Sequence, residues 1–128
     1  NDPGAPLGIA LALSSTEYIC DGLVAIGYVT PDALQKSHGL LEETDEVLDI
    51  LRAVKTVEAV AFLCFRDGQV KASFRSKRWL DVNQVARKCG GGGHVRAAGA
   101  TFAAGVSMQE ALNEVRGHLS EAASQPPE

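Results

Sequence analysis

Residues 57–75 constrain the fold of this chain most, because they join two different strand patterns through a turn signal. Residues 57–65 are almost continuously apolar, as in a strand that is buried on both faces of a sheet. Residues 69–75 instead alternate, with apolar side chains at every second position. Asp67-Gly68 lies between them and suits a two-residue type I′ turn, because both central residues of that turn need positive φ. The sequence therefore predicts a β-hairpin that pairs a central strand with a half-open one.

The alternating strand of this hairpin is predicted to have one core face and one polar face. The positions that point to the core are Val70, Ala72 and Phe74. The positions that share the opposite, open face are Lys71, Ser73 and Arg75. That face therefore offers two cations and a hydroxyl to whatever lies over it.

Further strand signals indicate the fold class. A second Asp-Gly pair, Asp21-Gly22, separates strand-like runs at residues 16–20 and 23–29 and predicts another two-residue turn. One more strand fits residues 98–102. The prediction is an α/β fold with a mixed sheet of about five strands and flanking helices, and with a glycine-rich loop between a helix and the last strand.

The helices are predicted from their cap residues. Thr30-Pro31 opens a short helix that ends near Lys36. Thr44 caps a helix whose predicted apolar stripe is Val47, Ile50, Leu51 and Val54. Asp81 caps a helix over residues 82–89, which Gly90 ends. Ser107 and Glu110 form a capping box at the start of the last helix.

Size and composition indicate a single domain. The 128 residues are 45% apolar, which is enough for a core without a disulfide or metal staple. No apolar run reaches the length of a membrane span, and no stretch has the features of a signal peptide. The three cysteines are odd in number and lack CxxC spacing, so we expect reduced thiols in a cytoplasmic protein without a membrane partner.

Charge is distributed unevenly along the chain. The formal net charge is -4, which argues weakly against nucleic-acid binding. Between Arg66 and Arg96, however, eight basic residues stand against two acidic ones. A local positive field can steer an anionic ligand whatever the total charge is. On charge alone, a binding site for an anion and a solvated basic surface are equally good interpretations.

The run of four glycines at residues 90–93 is the most informative motif, within the stretch GGGGHVRAAG. Such a run is entropically costly to order, and it is useful where backbone must approach a ligand closely. It lacks the Lys-Ser/Thr pair of a Walker loop and the third glycine of a dinucleotide fingerprint. A glycine-rich turn beside His94 and Arg96 suits a phosphate. The alternative is a flexible connection between a helix and a strand.

GGGGHVRAAG resembles the GGGHxxAAG signature of the DHH-associated C-terminal domain. That domain occurs in nanoRNase/pAp phosphatases, in RecJ exonucleases and in cyclic-dinucleotide phosphodiesterases. VKASFRSK at residues 70–77 resembles the strand of this family that ends in an arginine-serine-lysine turn, and residues 80–88 resemble the helix before the glycines. The resemblance covers most of residues 16–120 and is nearest to the nanoRNase/pAp phosphatase and RecJ-like groups. It implies an interdomain helix ending at residues 1–14, the DHH-associated domain at 15–122, and a disordered tail at 123–128.

The resemblance implies that this domain binds substrate. An arginine-serine pair would contact a phosphate or a terminal nucleotide, and the glycines would cradle a phosphate through backbone N–H groups beside the imidazole. The implied substrate-binding residues are Arg75, Ser76, Lys77, Gly91, Gly92, Gly93, His94 and Arg96. Trp79 stands in the loop after the arginine-serine-lysine turn, where stacking on a base and packing remain open alternatives.

The resemblance also implies that catalysis belongs to an upstream DHH domain, which would hold Mn²⁺ or Mg²⁺. No DHH triplet and no DxD motif occurs here, so we expect no catalytic residue, no metal ligand and no hydrolysis by this chain alone. The parent would be a metal-dependent phosphodiesterase or exonuclease. Its ligand would be a short RNA or single-stranded DNA oligonucleotide, pAp or a cyclic dinucleotide, and a homodimer of the intact protein stays open.

Two alternative functions remain open from the sequence. The first is a stand-alone module that binds a nucleotide or an oligonucleotide without hydrolase activity. The second is a structural or dimerising domain in which the glycine run is only a tight connection.

Overall fold

The computed structural model describes residues 5–30 and 44–127. Within them lie the helices α1 (Ala5–Ser14), α2 (Thr44–Arg52), α3 (Val82–Lys88) and α4 (Met108–Ala123). The strands are β1 (Glu17–Ile19), β2 (Val24–Tyr28), β3 (Ala59–Arg66), β4 (Gln69–Ser76), β5 (Gly92–His94) and β6 (Ala97–Thr101). They form one six-stranded sheet in the order β1-β2-β3-β4-β6-β5. Strands β2 and β3 are parallel and the other neighbours are antiparallel, which confirms the α/β class with a mixed sheet.

The β3–β4 hairpin is confirmed in its turn and in its register. Arg66 pairs with Gln69, and Asp67 and Gly68 have φ values of 53° and 79°. Burial alternates along β4, with the even-numbered positions buried and the odd-numbered ones half-buried. The register that places Lys71, Ser73 and Arg75 on one open face is therefore correct.

The β1–β2 turn is longer than its Asp-Gly pair predicts. Ile19 pairs with Val24, so residues 20–23 form the connection instead of two residues. Cys20, Asp21 and Gly22 all have positive φ, at 55°, 55° and 86°. The left-handed stretch begins one residue before the Asp-Gly pair, which takes Cys20 out of the strand ladder. The predicted two-residue turn is wrong here.

The predicted caps of two helices are confirmed. The Asp81 side chain accepts hydrogen bonds from the N–H groups of Asn83 and Gln84, at 2.9 and 3.2 Å, at the start of α3. Ser107 and Glu110 form both bonds of the capping box at the start of α4. Gly90 follows α3 with φ 88°, as expected of a glycine that ends a helix.

Helix α2 differs from its predicted apolar stripe. It begins at Thr44, and it buries Val47, Leu48 and Leu51. Ile50 and Val54, which the sequence predicts to face the core, are 41% and 37% exposed. The predicted helix at residues 30–36 lies outside the described residues, apart from Thr30.

The helices cover the two faces of the sheet unequally. Helices α3 and α4 pack on one face, against buried side chains from β2, β3, β4 and β6. On the other face the core cluster contains residues of α1, α2, β2 and β3. Its strand members come from β2 and β3, so β4, β6 and β5 leave half of this face open. Among the described helices, none combines the length and the apolar character that a membrane crossing needs.

Candidate functional site

A cleft of about 430 Å³ lies on the open half of the sheet. Its floor is made of small residues that pair across three strands. Ser73 of β4 pairs with Gly99 of β6, and Gly99 pairs with Gly92 of β5. Because these residues have short side chains or none, a ligand in the cleft can come close to the backbone.

The wall of the cleft is mostly cationic. Arg66, Lys71 and Arg75 line it, and Asp45 is the carboxylate-bearing residue among its described lining residues. Lys71 and Arg75 lie on the open face of β4, and Arg66 lies at the end of β3. Three cationic side chains around one cleft concentrate positive potential in it, which favours an anionic ligand. The structure thus gathers part of the basic segment into one site.

Arg75 is held in place by two hydrogen bonds. Its Nη1 donates to the carbonyl oxygen of Phe74 at 2.9 Å, and its Nη2 donates to Oδ1 of Asp45 at 3.0 Å. A guanidinium has five N–H donors, so these two bonds leave others for a ligand. The side chain is 24% exposed, which makes it accessible from the cleft.

The glycines at 91 and 93 are required by packing against β6. A Cβ on Gly91 would lie 2.1 Å from the carbonyl oxygen of Gly99. A Cβ on Gly93, whose φ is 152°, would lie 2.7 Å from Cα of Ala98. The segment that the sequence predicts as a loop therefore forms β5, in close contact with its neighbour. Gly92 has more room, since its Cβ would meet nothing closer than Oδ1 of Asn83, at 3.6 Å.

The backbone N–H groups of Gly91 and Gly93 have acceptors within the fold. Gly91 donates to the carbonyl oxygen of Ala86 at 2.8 Å, and Gly93 donates to Oδ1 of Asn83 at 2.9 Å. Both acceptors belong to α3. The N–H groups of Gly91 and Gly93, which we expected to bind a phosphate, therefore donate to α3 instead. Of the glycine run, Gly92 and Gly93 line the cleft, whereas Gly91 does not.

Ser76, Lys77 and Arg96 lie outside the residues that line the cleft. Ser76 is 2% exposed; its Oγ donates to the carbonyl oxygen of Val95 at 3.3 Å and accepts from Arg96 at 3.0 Å. Nζ of Lys77 donates to the carbonyl oxygen of Val54 at 2.8 Å. The alternation of β4 turns Ser76 to the face opposite Arg75. The proposed site therefore does not include these three residues.

His94 is not among the residues that line the cleft, although Gly92 and Gly93 of the same strand are. It is exposed at the end of β5 and pairs with Ala97, which in turn pairs with Arg75 on β4. Strands are about 4.8 Å apart, so the backbone of His94 lies roughly 10 Å from the backbone of Arg75, two strands away. This spacing allows His94 to contact a ligand group other than the one that Arg75 holds.

The loop between β4 and α3 is held from two sides. Oε2 of Glu58 accepts three backbone hydrogen bonds, from the N–H groups of Arg78, Trp79 and Leu80, at 3.0, 2.8 and 3.0 Å. The guanidinium of Arg96 donates to the carbonyl oxygens of Leu80 and Arg78, at 2.6 and 2.8 Å. Trp79 packs against the core cluster of α3 and α4, and it is not among the cleft-lining residues. Arg96 and Glu58 thus fix the loop that leads from the cleft strand to the helix beneath the glycines.

Glu58 is buried, at 5% exposure, and it was not singled out from the sequence. Burial alone would raise the pKa of Glu58. The backbone hydrogen bonds from residues 77–80 outweigh that effect, so the pKa lies below the usual range of a glutamate. The sequence contains a signal for this role of Glu58, because an acidic residue stands there directly before a continuously apolar strand.

Several cleft residues were not identified as site residues from the sequence. Cys64 and Arg66 lie on a strand that is almost continuously apolar, so its alternation cannot be read. The register shows their face, because Cys64 pairs with Lys71. Burial raises the pKa of the Cys64 thiol, although Lys71 and Arg66 act in the opposite direction. Asp45 lies in the first turn of α2, where an acidic residue favours the helix dipole, and its place in the cleft depends on how α2 packs.

Comparisons with known proteins agree with this architecture. A family profile described as the DHHA1 domain matches residues 39–121. The bifunctional oligoribonuclease and PAP phosphatase NrnA of Thermus thermophilus is 34% identical over 103 residues, which are 80% of this chain and 30% of that protein. This chain therefore spans less than a third of that relative.

Two solved structures show the same fold. An exopolyphosphatase-related protein from Bacteroides fragilis superposes with a TM-score of 0.87 at 22% identity, covering 97% of this chain and 36% of its own. A pGpG-specific phosphodiesterase from Vibrio cholerae superposes with a TM-score of 0.59 at 10% identity, covering 94% and 39%. The family match extends over more than half of the chain. The chain therefore belongs to the DHHA1 family, the DHH-associated C-terminal domain of the DHH phosphoesterases.

Proposed function

We propose that this chain holds the phosphate and the terminal nucleotide of a short oligonucleotide beside a metal site in the DHH domain of a longer protein. The observation that carries the proposal is the cleft, in which Arg66, Lys71 and Arg75 surround a floor of small residues. The Thermus thermophilus relative is named as an oligoribonuclease and PAP phosphatase, and the Vibrio cholerae structure as a pGpG phosphodiesterase. Both names describe phosphate-rich substrates with nucleotide units.

In this proposal the cleft binds the sugar-phosphate backbone. Arg75 and Lys71 donate charge-assisted hydrogen bonds to phosphate oxygens, and the Ser73 hydroxyl adds a neutral one. The glycine floor lets the sugar approach the sheet. None of the described lining residues is aromatic, so the bases have no stacking platform here. Phosphate contacts fix position without reading sequence, so binding depends little on the identity of the base.

The chain's contribution to the reaction is positioning. Holding the nucleotide in one place converts the attack at phosphorus into an effectively unimolecular step. Among the described residues, no group of three or more His, Cys, Asp or Glu side chains could hold a metal ion. We therefore assign the Mn²⁺ or Mg²⁺ that would activate water to residues of the DHH domain. The free thiols of Cys20, Cys64 and Cys89 support a cytoplasmic setting.

The binding role of the cleft can be tested with single substitutions. Arg75→Ala should weaken binding of a 5′-phosphorylated triadenylate about tenfold or more, because a charge-assisted hydrogen bond contributes roughly 1.5–3 kcal/mol. His94→Ala should weaken it less, because His94 is not among the residues that line the cleft. Fluorescence anisotropy with a 3′-labelled oligonucleotide measures both effects.

The matched control is Arg87→Ala, which removes the same charge from an exposed position on α3, on the opposite side of the sheet. It should change the affinity by less than about twofold, as expected for a distant exposed charge. Equal affinities of the Arg75 and Arg87 variants would exclude the cleft as the binding site.

Salt dependence gives a second prediction. Since Arg66, Lys71 and Arg75 can neutralise two or three phosphates, the logarithm of the binding constant should fall against the logarithm of salt with a slope of about -1.5 to -2. Lys71→Ala should make this slope shallower by about 0.7. Anisotropy titrations at several KCl concentrations measure it. A complex whose affinity does not change with salt would contradict the proposed phosphate contacts.

A further inference from the structure

Asp45 is a carboxylate in a cleft whose other charged lining residues, within the described chain, are cations. It lies in the first turn of α2, and its side chain is 84% exposed. Its Oδ1 accepts a hydrogen bond from Nη2 of Arg75 at 3.0 Å. A negative charge at this place opposes the entry of an anionic ligand.

The contact between Asp45 and Arg75 resembles the contact that a phosphate would make. A carboxylate oxygen and a phosphate oxygen both accept charge-assisted hydrogen bonds from a guanidinium. The pair is held by one hydrogen bond, and the carboxylate faces water over most of its surface. Exposed ion pairs of this kind are weak, so a ligand can displace Asp45 without a large penalty.

We propose that Asp45 competes with the phosphate of the ligand for Arg75 and thereby lowers the affinity of the cleft. This inference rests on the function proposed above. In the free protein, Asp45 occupies a donor of Arg75. When a phosphate oxygen takes this Nη2 donor as well as the free ones, the carboxylate of Asp45 returns to water, where it was already largely solvated. A domain that binds the substrate of a nuclease and must release the product after each cleavage benefits from such limited affinity.

A supporting role for Asp45 predicts the opposite sign. If Asp45 served to orient Arg75 toward the ligand, its removal would loosen the guanidinium and weaken binding. If Asp45 instead accepted a hydrogen bond from a ribose hydroxyl, its removal would weaken binding of ribonucleotides and not of deoxyribonucleotides. Competition between Asp45 and the phosphate for Arg75 predicts that removal of Asp45 tightens the binding of both ribonucleotides and deoxyribonucleotides.

The test uses the chain with Asp45→Asn, which keeps the shape of the side chain and removes its charge. The probe is the 3′-labelled, 5′-phosphorylated triadenylate, in ribo and deoxyribo forms, measured by fluorescence anisotropy. We expect both forms to bind about threefold to tenfold more tightly, the range that release of an exposed ion pair and removal of a nearby like charge would give.

Asp49→Asn is the matched control. It makes the same chemical change one turn further along α2, where Asp49 pairs with Arg52 at 2.9 Å outside the cleft. We expect its affinity to stay within about twofold of the unsubstituted chain, since its charge is more distant from the site. If both aspartate variants tighten binding equally, the effect is one of general charge, and the competition proposal is overturned.

A double substitution identifies the partner of Asp45. In the Arg75→Ala background, Asp45→Asn should change affinity by less than about twofold, because the contested donor is absent. The competition proposal is overturned if Asp45→Asn alone weakens binding or leaves it unchanged. In that case the effect of Arg75→Ala still tests the proposed function by itself. If Arg75→Ala itself has no effect, the proposed function fails as well, and the two failures are thus distinguishable.

Discussion

Replacing Gly91 with alanine should destabilise the folded chain by about 3 kcal/mol or more, or prevent it from folding. A Cβ at this position would lie 2.1 Å from the carbonyl oxygen of Gly99 and 2.6 Å from Cα of Ala100. Both atoms are backbone atoms of a sheet strand, so no change of side-chain rotamer relieves the overlap. The hydrogen bond from Gly91 N–H to Ala86 also ties this backbone to α3. Urea unfolding, followed by circular dichroism, measures the loss.

Two other glycines control for the substitution itself. Gly117 lies within α4, and a Cβ added there would meet no atom of another described element within 4 Å, so Gly117→Ala should stabilise the chain by about 0.5–1 kcal/mol. Gly92→Ala should be tolerated better than Gly91→Ala, because its nearest neighbour is 3.6 Å away. If Gly91→Ala unfolds at the same urea concentration as the unsubstituted chain, the backbone at Gly91 does not pack on β6 as closely as the structure shows.

Replacing Glu58 with alanine should destabilise the chain by about 3 kcal/mol or more, because it leaves three backbone N–H groups without their acceptor. Those groups belong to the loop that Arg96 holds from the other side. Glu58→Gln keeps an oxygen that accepts hydrogen bonds and removes the charge, so its loss should be smaller, about 1–2 kcal/mol. Urea unfolding at neutral pH separates the two variants.

The pH dependence follows from the lowered pKa of Glu58. A carboxyl group whose folded-state pKa lies below its unfolded-state pKa stabilises the fold above the unfolded-state pKa. That stabilisation is lost as the pH falls through the folded-state pKa. The difference in unfolding free energy between the unsubstituted chain and Glu58→Gln should therefore be constant near neutral pH and shrink below about pH 4. If this difference in unfolding free energy stayed the same in acid, the charge of Glu58 would contribute nothing to the stability of the fold.

Local patterns in the sequence predict the elements of this fold well where one residue type decides the geometry. The hairpin turn at Asp67-Gly68 is one such case, because its two central residues must adopt positive φ, which few residue types do readily. The capping box at Ser107 is another, because its hydroxyl and the side chain of Glu110 bind the N–H groups at the start of the helix. The β1–β2 turn was mispredicted because the sequence does not show how far a left-handed stretch extends. Cys20 has φ 55° although nothing in its side chain favours that conformation.

The site was predictable to the extent that it lies on one strand. The alternation of β4 places Lys71 and Arg75 on the open face, and pairing between strands is not needed for that inference. The same alternation separates Ser76 from Arg75, although the family resemblance suggests a joint role. Asp45 comes to the cleft through the packing of a distant helix, which no local pattern reveals. The hydrogen bonds of Gly91 and Gly93 to α3 likewise depend on tertiary structure.

The two faces of β4 make ligand choice and fold stability separable in this domain. Val70, Ala72 and Phe74 are fully buried on one side, whereas the cleft residues Lys71, Ser73 and Arg75 project from the other side and belong to neither core cluster. Substitutions at Lys71 or Ser73 can therefore change the shape and charge of the cleft while the core remains intact. A scaffold with this division can be adapted to different phosphate-bearing ligands through a few positions on one strand.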